Sequence, residues 1–251
     1  MPQQCQRVRL ATYVVSQLLR VGDAMGTKAT RLAALSGVLF VAFLVPAVLL
    51  TSGSPSSSAS AAKVQAYFLA HKDRYGVSAW FSIFAVIFGT FFFGYLRAYF
   101  RKQPGMEWLS AIYFAGAIMF AATGVIGAGI DALVADHPSA LSASSLQLVN
   151  QMEMNLNYPA LCASLGVLFI AAGFIIYASR ALPIWLAWAS WVLGVLAASF
   201  FLGFFALVGM AVWAVVISII MASRNPSLDP EGKPTTVTLP AQPKTARMTV
   251  S

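Results

Sequence analysis

Charge is what this sequence has least of. Asp, Glu, Lys and Arg make up 10% of its 251 residues, against about a quarter in soluble domains, and 59% of the chain is hydrophobic. An ordinary water-soluble fold is thereby excluded. Cysteine is nearly absent as well. Cys5 lies in the N-terminal segment and Cys162 inside an apolar stretch, so no structural disulfide is expected and no thiolate metal cluster can form. With only His71 and His137, a conventional zinc site would need mostly carboxylate ligands, and no span-centred His pair exists to hold haem. The sequence contains no HExxH, GxSxG or Walker pattern. It also lacks a filter-like loop and any mid-span charge for an ion relay. No cofactor is expected, and catalysis is the least favoured of the functions weighed below. No cleavable signal peptide is read, because the first apolar run is long enough to span and lacks a cleavage site.

What remains is five long uncharged stretches, 32–62, 75–96, 108–130, 154–179 and 181–223. A helix rises about 1.5 Å per residue and the hydrocarbon core is about 30 Å thick, so roughly 20 apolar residues make one span. As one helix the fifth stretch would be roughly 64 Å long, so it is read as two spans with a turn at Gly203, beside Ser199 and amid Phe200, Phe201, Phe204 and Phe205. The fold class expected is all-α, a polytopic bundle of six transmembrane helices. The spans are placed at about 32–52, 77–97, 108–130, 156–178, 183–202 and 205–222. This gives three regions: an N-terminal segment 1–30, a membrane domain 31–223 and a tail 224–251.

The basic residues orient the path. With a cytoplasmic N-terminus, thirteen Lys and Arg fall inside, among them Arg97, Arg101, Lys102 and Arg180, against three outside, Lys63, Lys72 and Arg74. The positive-inside rule then puts both termini in the cytoplasm. The formal charge of +8 flanks apolar spans and does not coat one soluble module, so no nucleic-acid partner is expected. Trp108, Trp185 and Trp188 at inner ends and Trp80 at an outer end suit membrane interfaces.

Two readings stand for residues 7–22, where Val8, Ala11, Val14, Val15, Leu18 and Leu19 recur at helical spacing. One is an amphipathic helix on the inner leaflet; the other is translation starting at Met25. Ser52–Ser58 reads as a flexible run and 63–74 as a short separate helix. The tail, with five prolines, reads as disordered. No internal repeat is seen, which disfavours inverted-repeat transporters.

Polar residues enter the apolar part on two faces. Gly116, Thr123, Gly127 and Asp131 share one face of the third span, where small residues admit a close neighbour. Asn150, Glu153, Asn157 and Ser164 share a face leading into the fourth, interrupted by Pro159. Both converge on the outer end, together with Asp136, His137, His71 and Asp73. A ligand-binding vestibule is therefore read from Asp131, Glu153, Asn157, Asn150 and His137. Interhelical hydrogen bonding, a metal or proton site, and a surface for an extracytoplasmic partner compete for these residues.

At Gly89-Thr90-Phe91-Phe92-Phe93-Gly94-Tyr95-Leu96-Arg97 and Leu182-Pro183-Ile184-Trp185-Leu186-Ala187-Trp188 the chain resembles a broad group of uncharacterised multi-pass membrane proteins from actinobacteria. The resemblance covers most of 30–223 and carries no assigned activity or catalytic residue. It implies a bacterial plasma membrane. The functions weighed are a non-catalytic accessory or partner-binding protein, then a small-solute or lipid-linked permease using the vestibule, then an intramembrane enzyme. Expected partners are membrane lipids and either a protein partner or a second copy of the chain.

Overall fold

The computed structural model describes residues 32–136, 138–199 and 202–223. His137, the segment 1–30 and the tail 224–251 lie outside the described residues, and so do the readings made of them. Among the described residues the chain is helical throughout, with no strand. The helices are α1 (Leu32–Thr51), α2 (Ala61–Arg101), α3 (Glu107–Asp136), α4 (Ala143–Met152), α5 (Tyr158–Ser179), α6 (Ile184–Ala198) and α7 (Gly203–Ser223), with a π turn, Glu153–Asn157, between α4 and α5. Five of these continuous rods are long and apolar enough to cross a membrane, and α6 is apolar but only 15 residues long.

The ends of the helices follow from local chemistry. Gly53 and Gly105 adopt left-handed φ values of 94° and 72°, where a side chain would be strained, and stop the chain after α1 and before α3. Glu107 places its negative charge in the first turn of α3. Ser142 caps α4 by accepting a hydrogen bond from the Ser145 amide. Pro159 supplies no N–H, and the backbone widens into the π turn just before it. Arg180 turns left-handed to end α5, and Pro183 caps α6.

Two expectations are corrected. Residues 63–74 are not a separate helix; they form the first part of the 41-residue α2, which at about 1.5 Å per residue is roughly 60 Å long. Lys72-Asp73-Arg74 lowers hydropathy without breaking a helix, since Lys and Arg propagate one well and a single Asp costs less than about 1 kcal/mol. The turn after α6 comes at Ser199, four residues before Gly203, which instead opens α7. The Ser199 hydroxyl there accepts from the Leu202 amide and closes the connection.

Helix α5 sits at the centre, with Leu165, Leu168, Phe169, Ala172, Ile175 and Ile176 fully buried. It packs on α3, α6 and α7, and α1 lies between α2 and α7. Close approach is allowed where glycine faces a neighbour. A Cβ on Gly116 would sit 2.8 Å from the Leu168 backbone nitrogen, so the small-residue face of α3 is the one laid against α5. In α1, α2 and α3 an aromatic ladder fills the bundle interior. Phe40, Phe93 and Phe120 meet edge to face at 5.5–6.1 Å, and Tyr113 and Phe100 continue the ladder toward Arg180. A buried hydrogen bond, from Trp213 Nε1 to Ser190 Oγ at 2.9 Å, ties α7 to α6.

The outside of the bundle is hydrocarbon. Phe91 and Val195 are each 66% exposed and Val212 61%, as part of a belt that water would not tolerate and lipid would. Trp80, Trp108, Trp185 and Trp188 are exposed as well.

One end of the bundle carries a folded cap. The first turns of α2, the end of α3 and α4 enclose a second small core of Val64, Phe68, Tyr75, Val134 and Leu146. The loop after α1 is tethered to this cap by amide side chains of α4. Asn150 Nδ2 donates to the Pro55 and Ser56 carbonyls at 3.2 and 3.3 Å, and Gln147 Nε2 donates to Ala59 O at 3.0 Å. The run read as flexible is therefore held at its backbone. At the opposite end, Tyr99 donates to the Ala181 carbonyl at 3.0 Å, and the Arg97 guanidinium lies 4.6 Å from the Phe114 ring centre.

Candidate functional site

Below the cap, α1, α2, α3 and the π turn leave a cavity of about 210 Å³. Four of the five residues read as a vestibule line it: Asp131, Glu153, Asn157 and Asn150. The fifth, His137, lies outside the described residues. Asp136, His71 and Asp73 do not line the cavity; His71 instead stacks on Tyr67 and lies 2.8 Å from the Tyr67 carbonyl. Ser164 also stays out, its hydroxyl donating to Leu161 O within its own helix.

Each polar group is placed by its backbone. Asp131 ends the small-residue face of α3, one turn beyond Gly127. Its Oδ2 accepts from Ser78 Oγ of α2 at 2.8 Å, and the same hydroxyl lies 3.2 Å from the Ala47 carbonyl of α1. Three helices thus meet at one serine. Glu153 and Asn157 stand at the two ends of the π turn, and the Asn157 amide nitrogen donates to both carboxylate oxygens at 3.0 and 3.1 Å. Gly127 makes room for this pair, since a Cβ there would lie 3.2 Å from Asn157 Nδ2. The Asn157 side-chain oxygen, Oδ1, is buried and has no hydrogen-bond partner among the described residues. Asn150 is directed chiefly at the loop carbonyls, so its role is to hold the cavity's rim.

The sequence reading missed the α2 wall. Tyr75, Ser78 and Ser82 line the cavity at steps of three and four, the spacing that puts residues on one helix face. That stripe was visible in the sequence, but two serines in an apolar helix carry little hydropathy signal. Tyr75 also shares a hydrogen bond of 2.7 Å with Ser54 of the tethered loop. Thr123 lines the cavity too, with its hydroxyl donating to Phe120 O.

Deeper in, the walls are hydrocarbon: Phe40, Leu44, Phe120, Leu161 and Leu207. The Phe40–Phe93–Phe120 cluster lies in the path toward the Arg180 end, and Phe93 is 2% exposed. Among the described residues no three His, Cys, Asp or Glu side chains come together as a metal-ligand set. Chemically, the arrangement offers hydrogen-bond acceptors in an apolar pocket and can hold a donor-bearing molecule. No known protein family, curated protein or solved structure matches the chain.

Proposed function

We propose that this chain is a six-span plasma-membrane protein with both termini in the cytoplasm, which binds a small ligand from the outer side and catalyses no reaction. In this reading α6 is the fifth span, short but wholly apolar, and the cap faces outward. The excess of Lys and Arg at the Arg180 end supports that orientation. The resemblance to actinobacterial multi-pass proteins supports a bacterial plasma membrane. One observation carries the binding role: a cavity that brings Asp131, Glu153 and Asn157 together with an apolar wall that includes Phe40 and Phe120 of the aromatic ladder. In this reading the ladder closes the cavity toward the Arg180 end, and a binding subunit needs only one entrance, whereas a conduit needs a second exit. The cap, with its own small core, gives such a subunit a rigid surface for a protein partner.

The second reading, a small-solute or lipid-linked permease, draws on the same cavity as its outward-open state. The two part in a flux measurement. Proteoliposomes of the purified protein are expected to take up radiolabelled methylammonium, glycerol and glycine no faster than protein-free liposomes. Uptake of any of them well above the protein-free rate would replace the binding reading with the permease.

A further inference from the structure

The cavity holds acceptors and, among its described lining residues, no matching cation. Asp131 and Glu153 both line it, and among the described lining residues there is no Lys, Arg or His. Their hydrogen-bond partners there, Ser78 and Asn157, are neutral. A third acceptor is the Asn157 side-chain oxygen. That residue is only 7% exposed, and its Oδ1 has no donor among the described residues. Buried side-chain acceptors nearly always have a partner, and a carboxylate in apolar surroundings is costly without a cation or a proton. Two carboxylates and an unpartnered side-chain carbonyl in one cavity call for a donor that the described lining does not supply.

The remaining lining decides what kind of donor fits. Phe40, Leu44 and Phe120 offer no oxygen to an inorganic ion. A divalent cation seeks about six to eight oxygen ligands or retained waters, and much of this wall would be wasted on it. The volume of about 210 Å³ exceeds the roughly 150 Å³ of an apolar cavity that accepts benzene. We propose that the cavity binds a small organic ammonium ion. Its charged nitrogen lies against Asp131, Glu153 and Asn157 Oδ1, and its apolar body lies against Phe40 and Phe120. The proposal rests on the ligand-binding reading and narrows its ligand to one chemical class.

The test is equilibrium dialysis of the full-length protein in detergent with benzylammonium and its neutral near-isostere benzyl alcohol. The wild type is expected to bind benzylammonium at least tenfold more tightly. In the Asp131→Asn/Glu153→Gln double variant that preference should fall to within about twofold. The wild-type comparison stands by itself if the variant does not fold. Equal binding of the two compounds to the wild type would overturn the ammonium assignment while leaving a ligand cavity in place. A preference that survives the double variant would also overturn it, because the cation would then sit elsewhere. Binding of neither compound would overturn both the assignment and the ligand-binding reading.

Discussion

Gly116→Ala is expected to destabilise the protein by about 2–3 kcal/mol, as overpacking a close contact does, which corresponds to a fall of roughly 5–10 °C in melting temperature. The added Cβ would meet the Leu168 nitrogen at 2.8 Å and the Leu168 Cα at 3.0 Å. Both are backbone atoms in the middle of α5, so no rotamer change relieves the contact. The helices must separate, and they would lose dispersion contacts along the α3–α5 seam, the main source of association energy in lipid. Gly129→Ala on the same helix is the control. A Cβ there meets nothing within 4 Å, and the helix-propensity difference of about 1 kcal/mol then favours alanine. Thermal melting in detergent separates the two. If both variants melt with the wild type, the α3–α5 contact is not as close as described.

Phe93→Ala is expected to cost about 3–5 kcal/mol, the range for emptying a buried aromatic site. Phe93 is 2% exposed and makes ring contacts with Phe40, Phe92, Tyr113 and Phe120, so three helices lose packing together. The same substitution would open space beneath the cavity, toward the Arg180 end. A second consequence is therefore expected: proteoliposomes carrying Phe93→Ala should leak methylammonium faster than those carrying the wild type. A destabilised but equally tight variant would show that another layer seals the bundle, with Tyr113 and Phe100 the next residues in the ladder.

Much of this architecture was legible because hydropathy and helix geometry act on the same residues. An uncharged 181–223 cannot be one span, and the chain does break between α6 and α7. The face of Gly116, Thr123, Gly127 and Asp131 could be read from spacing alone, since residues three, four and seven apart stack on one side of a helix. Asn150, Glu153 and Asn157, read from the same spacing, line one cavity together with Asp131.

The parts that were not legible have physical causes too. Hydropathy marks where a helix would leave a membrane, not where it ends, so Lys72-Asp73-Arg74 hid the continuity of α2. The tether of Pro55 and Ser56 to Asn150 joins residues some 95 positions apart and has no local signature. Ser78 was missed because its importance comes from Asp131 on another helix. The orphaned carbonyl of Asn157 appears only when the amide nitrogen is seen committed to Glu153.

The binding reading requires a cavity that opens to the outer side of the membrane and is closed toward the Arg180 end. Its most direct test is thiol labelling in intact bacterial cells, with Cys5 and Cys162 replaced by serine and single cysteines at Ser57, Ser78, Thr123 and Gln103. A small membrane-impermeant thiol reagent added outside is expected to label Ser57→Cys, Ser78→Cys and Thr123→Cys, and to leave Gln103→Cys unmodified until the cells are lysed. Labelling of Gln103→Cys from outside, or protection of Ser78→Cys and Thr123→Cys beside a reactive Ser57→Cys, would contradict the account.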